Sequence, residues 1–243
     1  MGGILNRTWE MLHDGRFLKK ALMIACPVAL QGMLNTIVNM VDTLMIGGLG
    51  STAIAAVGLA NKVFFVFSLL VFGIVSGGGI LAAQFWGSGD VKNIRKVLGL
   101  CVMLAMVGAL FFVIPAIASP KMVMRIFTTS EGSIELGAKY LRIAALCYPF
   151  IALTNVYVAM LRASNKVVFP VICSCIAIAI NICLNYVLIF GKFGAPTMGV
   201  AGAACATLTA RCIEVTLVLF YVYGKKLPLA CGPKGMFGWH KAF

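Results

Sequence analysis

The sequence predicts an all-α membrane protein, a bundle of six transmembrane helices with both termini cytoplasmic. Three observations predict it. Hydrophobic residues make up 61% of the chain and charged residues 11%, with a mean hydropathy of +1.01, whereas a soluble domain is about half apolar and a quarter charged. The apolar residues gather into six stretches long enough to cross a bilayer, for which about 20 residues suffice. The cations fall mainly between those stretches, as they do in cytoplasmic loops. That placement argues against nucleic acid as the partner of the net charge of +13.

Residues 1–20 hold Trp9, Leu12 and Phe17 among Arg7, Arg16, Lys19 and Lys20, and are expected to form a cytoplasmic, interfacial segment. The first apolar run starts at Ala21, is too long for the apolar part of a leader and lacks a small-residue cleavage site, so it reads as the first span. That span is expected over 21–46, loosened at Pro27. Gly47, Gly48 and Gly50 turn the chain, with Ser51 or Thr52 as N-cap of the next helix. The second span is placed at 53–85, weakened by Gly77, Gly78 and Gly79. Asp90 is the expected N-cap of the third, at 97–117, which Pro120 closes. Residues 119–139 are expected to be the longest external loop. The remaining spans are placed at 140–161, 169–190 and 198–223, followed by a tail, 224–243, without periodicity. The domain plan is thus the segment 1–20, a lobe over 21–223, and a tail or inter-lobe linker over 224–243.

Sorting the 20 Lys and Arg gives the orientation. Thirteen lie on the side of the termini. Lys121, Arg125, Lys139, Arg142 and Lys192 lie on the other side, and Lys62 and Arg211 lie within spans. The excess places the termini in the cytoplasm. The nine cysteines form no CxxC pair, and are expected to be small packing residues rather than disulfides or metal ligands.

Polar residues inside the spans carry the chemistry. Gln31, Asn35, Asn39 and Asp42 recur at four, four and three residues, which puts them on one helical face. An ionisable residue inside a membrane helix costs about 2.5–3.5 kcal/mol on insertion scales and is a functional candidate by default. Asp42 can exchange a proton or hold a cation, although a carboxylate at a helix end facing the outer interface would need no such role. Asn181 and Asn185 share a face in the fifth span, and Thr154 and Asn155 lie in the fourth. Such amides line a cavity or bond neighbouring helices. Lys62, deep in the second span, is expected to pair with Asp42 and line the cavity. Arg211 and Glu214, three residues apart, are expected to pair with each other. Enzyme signatures are absent: no HExxH, GxSxG or phosphate-binding loop occurs, and His13 and His240 lie outside the spans. No cofactor or metal site is expected.

These segments together resemble the N-terminal half of a MATE (multidrug and toxic compound extrusion) transporter. The resemblance covers 18–223 and rests on Pro27 with VDTLMIGGLG around Asp42, AIAAVGLANKVFFVF, AAQFWGSGD at 82–90, YLRIAAL, NICLNYVLIFG at 181–191 and MGVAGAACATLTARCIE at 198–214. It implies a six-helix lobe, normally followed by a second one, that exports amphipathic organic cations in exchange for H⁺ or Na⁺. It implies that Asp42 binds the coupling ion, with Asn181, Asn185 and the hydroxyl of Thr207 around it. Gln31, Asn35, Asn39, Asn155 and Lys62 would line the substrate cavity, and Pro27 would mark the hinge. Two positions depart from the family pattern. Asn185 stands where many members have Asp, which leaves Asp42 as the only acid expected in the cavity, and Lys62 replaces an uncharged polar residue.

The expected setting is the cell membrane of a bacterium. The expected partners are lipid, organic cations and a second six-helix lobe, since lobes rocking about a midplane site give alternating access. The chain would be either part of a longer transporter or a half-size protein that pairs. The alternatives are a flippase of lipid-linked saccharides from the same superfamily and an incomplete, non-transporting half.

Overall fold

The computed structural model describes residues 15–230. The segment around Trp9 and Leu12, and the tail from Cys231 onward, lie outside the described residues. All regular structure among the described residues is helical: α1 (Gly15–Gly47), α2 (Ser51–Gly87), α3 (Val91–Ala118), a short α4 (Pro120–Arg125), α5 (Glu131–Ala144), α6 (Tyr148–Ala163), α7 (Val168–Phe190) and α8 (Val200–Gly224). Five stretches are long and apolar enough to cross a membrane: α2, α3, α5 with α6 as one unit over Glu131–Ala163, α7 and α8. At 33 residues, α1 is about 50 Å long and has the reach of a sixth pass.

The helices outrun their expected bounds at several ends, because polar first and last turns belong to the helices that their apolar middles define. α1 is already helical at Gly15, through Arg16, Lys19 and Lys20, and continues through Pro27. α2 is unbroken across Gly77–Gly79. Contact explains only the middle glycine: a Cβ on Gly78 would collide with the Cys101 sulfur, whereas one on Gly77 or Gly79 would meet nothing within 4 Å. Gly50, at φ 107°, takes the N-cap position instead of Ser51 or Thr52. Asp90 caps α3 as expected, its Oδ1 accepting from the Asn93 amide N–H at 3.1 Å.

The expected external loop 119–139 is mostly helix. Pro120 starts α4, and α5 begins at Glu131. Polarity hid α5, whose outer face carries Glu135 and Lys139, paired at 3.2 Å, while Ile134, Gly137, Ala138 and Leu141 are buried. A 3₁₀ turn, Ala145–Cys147, joins α5 to α6 just before Pro149, where the missing amide N–H leaves no full α-helical ladder.

The core lies between α2, α3 and α6. Phe67 stacks on Tyr148 at 4.6 Å between ring centres and meets Phe112 edge-on. α1 packs mainly against α7, and α7 mainly against α8. The tail's first residues also join the core: Leu227 and Leu229 are buried, and Arg95 Nε donates to the Pro228 carbonyl at 2.7 Å. Outward faces carry exposed Leu44, Phe72, Phe111 and Phe220, suited to lipid. The eight cysteines among the described residues are all free.

Small residues let α7 and α8 touch. A Cβ on Gly202 would lie 2.7 Å from the Leu188 carbonyl oxygen, a backbone atom that cannot swing away. Gly202→Ala should therefore force the two helices apart, at a cost of about 1–3 kcal/mol, read as a lower melting temperature in detergent. An unchanged melting temperature would show that the interface is slack.

Candidate functional site

Two cavities open among the polar faces of α1, α2, α6, α7 and α8. The larger, about 530 Å³, is bounded by Asn39 and Asp42 of α1, Asn61 and Phe64 of α2, Asn155 of α6, Asn181 of α7, and Thr207 and Arg211 of α8. The smaller, about 250 Å³, is bounded by Gln31, Thr154, Asn155, Arg162, Ser174, Arg211 and Glu214. Ile151, Asn155 and Arg211 wall both.

α1 enters both cavities because its polar stripe is long. Gln31 is three turns, about 16 Å, from Asp42 along the helix. Gln31 therefore faces the smaller cavity, while Asn39 and Asp42 face the larger. The side chain of Asn35, between them, lies outside those described.

In the larger cavity Asp42 joins a chain of amides. Asn185 Nδ2 donates to Asp42 Oδ1 and, with its second proton, to Asn181 Oδ1 at 3.1 Å. Asn181 Nδ2 donates to Thr207 Oγ1 at 3.3 Å, whose own proton goes to the Ala203 carbonyl. The structure thus brings Asp42, Asn181, Asn185 and Thr207 together on three helices. Asn185 is fully buried, and its Oδ1 has no partner. An orphaned carbonyl beside a carboxylate is a costly arrangement, and it suits a small cation or a proton-bearing group as the missing partner.

Lys62 is not part of this site. It is exposed and makes no ion pair with Asp42; the ion pairs among the described residues are Arg125–Glu131, Glu135–Lys139 and Arg211–Glu214. One residue turns a helix by about 100°, so its neighbour Asn61 walls the cavity instead.

The smaller cavity holds a relay that the sequence did not suggest. Arg162 Nη2 donates to Gln31 Oε1, Gln31 Nε2 to Ser174 Oγ at 2.7 Å, and Ser174 Oγ to Glu214 Oε1 at 2.7 Å. Arg211 Nη1 donates to Glu214 Oε2 at 2.7 Å. Four helices are tied to one carboxylate that is 3% exposed. The expected Arg211–Glu214 pair exists, but Asp42 is not the only acid in the polar interior. The span expected over 140–161 stops short of Arg162, and Ser174 is a lone small hydroxyl in an apolar run, so neither carries a signal in the sequence. A cue was available in the helical register, since Glu214 lies seven residues, about two turns, beyond Thr207 on the same side of α8.

A family model, MatE, matches residues 27–187. The chain is 30% identical over 210 residues to the probable multidrug resistance protein NorM of Thermotoga maritima, covering 86% of this chain and 45% of that protein. It is 30% identical over 212 residues to the probable multidrug resistance protein YoeA of Bacillus subtilis, with 84% and 44% covered. The chain spans about half the length of the curated relatives it matches. Among solved structures, an outward-facing multidrug resistance MATE family transporter of the MOP superfamily superposes with a TM-score of 0.78 at 21% identity, covering 89% of this chain and 49% of that one. MATE in its straight conformation gives 0.80 at 21%, with 90% and 48% covered.

Proposed function

The chain belongs to the MatE family, and from that premise we propose that it forms one six-helix lobe of a multidrug exporter, an antiporter that exchanges amphipathic organic cations for H⁺ or Na⁺. The observation that carries this reading is the Asp42–Asn185–Asn181–Thr207 chain: Asp42, Asn181 and Thr207 wall a cavity of about 530 Å³, and Asn185, buried among them, keeps an orphaned oxygen. That volume is within the range of pockets for drug-sized molecules. Asn39 and Asn155 offer hydrogen bonds from the same wall, and Phe64, Phe65 and Tyr148 offer aromatic faces to an organic cation.

In this reading Asp42 alternates between the coupling ion and the substrate cation, and the two compete for one carboxylate. Exchanging one such ion for one monovalent organic cation moves no net charge, so the ion's chemical gradient is the drive: each tenfold ion gradient, about 1.4 kcal/mol, holds a tenfold substrate gradient. α1 bends at Pro27, one turn before Gln31, as the cavity changes sides. A second six-helix lobe closes the opposite wall, both termini face the cytoplasm, and the lobe sits in the plasma membrane of a bacterium. Coupling needs no cofactor beyond the ion itself.

The test is efflux of a fluorescent organic cation from cells carrying the gene with its full reading frame. Collapsing the proton gradient with an uncoupler, or removing external Na⁺, should each be tried. Efflux that stops under one treatment identifies the ion. Efflux indifferent to both contradicts the antiport reading.

A further inference from the structure

We propose, resting on the transport reading, that Lys62 makes an ion pair with a carboxylate of the second lobe, and that this second lobe has its own sequence rather than being a second copy of this chain. From Ser51, where α2 starts, to Lys62 the helix rises about 16 Å. In a hydrocarbon layer of about 30 Å that depth is near the middle. The stem of a Lys carries its charge to the interface only from near a helix end. Lys62 is nevertheless exposed, and it makes no ion pair among the described residues. An ammonium at that depth is costly against lipid tails. What it lacks is an anion on whatever covers this face of α2.

The face around Lys62 is shaped for a helix. Ala55, Gly58, Lys62, Phe65, Leu69 and Phe72 recur at alternating steps of three and four, and all six are exposed. That is the seam of a left-handed helix pair, in which the side chains of one helix enter the gaps of the other. Left-handed crossings also prevail between membrane helices. Gly58 leaves room for an approaching backbone. Gly weakens a helix, yet a Cβ here would meet nothing within 4 Å in this lobe, so the space is open to a neighbour outside it. A single Lys in such a seam fixes register and the choice of partner at a cost in stability.

Charge decides which helix fits. The chain has seven acids, and none lies on the seam. Glu10 and Asp14 precede α1 in the sequence. Asp90 caps the start of α3, and Glu131 and Glu135 stand in the first turns of α5, at opposite ends of α2. Asp42 is held by Asn185, and Glu214 by Ser174 and Arg211. Because Lys62 is near mid-depth, two copies meeting along α2 would bring Lys62 level with Lys62 in either orientation. Like charges at low dielectric repel strongly. A lobe with its own sequence, carrying Asp or Glu at that level, replaces the repulsion with a pair and rejects the identical copy.

The experiment uses the protein expressed from its full reading frame, in native membranes, with the membrane-soluble reagent dicyclohexylcarbodiimide. The reagent activates a carboxyl group. An amine already in contact then displaces it as the urea and forms an amide, so a pre-existing Lys–carboxylate pair becomes covalent. Peptide mass spectrometry should find Lys62 joined to an Asp or Glu in a peptide outside these 243 residues. Lys62→Arg should lose the joint and keep the melting temperature, because a guanidinium keeps the charge but is not acylated. Lys62→Glu should lower the melting temperature, and changing the joined acid to Lys in the same protein should restore it. No joint at Lys62, a joint to an acid of this chain, or a charge exchange that restores nothing would each overturn the proposal. The joint forms without an ion gradient. Lys62 joined in a protein that exports nothing would therefore sink the transport reading alone, and export that persists without the joint would sink the ion pair alone.

Discussion

Asp42→Asn is expected to abolish gradient-driven efflux while leaving the protein folded. Asn matches Asp in shape and offers the same oxygen to Asn185 Nδ2, so the contact between α1 and α7 survives. What is lost is the charge that a proton or Na⁺ neutralises. Without it the ion and the organic cation no longer compete for one group, and the ion's gradient does no work on the substrate. A steady-state substrate gradient that matches the coupling ion's, about tenfold for a tenfold ion gradient, should fall to none. The readout is retained dye in cells or vesicles, with melting temperature as the control for folding. Unimpaired efflux would remove Asp42 from the coupling step and move attention to Glu214 or to a second lobe.

Glu214→Gln is expected to have the largest effect on stability. Glu214 is the common acceptor for Ser174 and Arg211, and through Ser174 it orders Gln31 and Arg162. Removing its charge leaves Arg211 beside a neutral amide in the bundle interior. Breaking a buried ion pair on one side costs about 3–5 kcal/mol, and because Arg211 is one-third exposed the cost should be at the lower end, about 3 kcal/mol. Adding Arg211→Met should recover most of it, since removing both charges spares the penalty of a lone one. A double variant no more stable than the single one would show that the carboxylate acts through Ser174 and the α1 contact, not through the ion pair.

The contrast between Asp42 and Glu214 marks how far the sequence reached. Asp42 was conspicuous because it ends a stripe of amides on one helix face, a pattern that depends on local geometry alone. The spacing of Asn181 and Asn185 was legible for the same reason, and Thr207 followed from the family resemblance. Glu214 lay beside an obvious intrahelical partner, so its links to Ser174, Gln31 and Arg162 could not be seen: they join residues 40 to 143 positions apart. Lys62 shows the opposite error. Its charge was clear in the sequence, but its direction depended on the rotation of α2, which packing against α3 and α6 fixes. α5 was missed because its exposed face is charged and its buried face is short, so mean polarity outweighed periodicity.

By itself, the sequence determined that this chain is built of helices long and apolar enough to cross a membrane, where three of them lie to within two residues, and that a carboxylate faces a polar interior. Hydropathy and helical period are properties of neighbouring residues, and lipid leaves the backbone no alternative to the helix here. Only the tertiary structure decided that the polar stripe of α1 serves two cavities, that Asn185 rather than Lys62 reaches Asp42, and that Arg162 turns inward without a counter-ion. Those outcomes depend on how six helices rotate and approach one another. That is settled by contacts such as Gly202 against Leu188 and Phe67 against Tyr148, which no local pattern in the chain encodes.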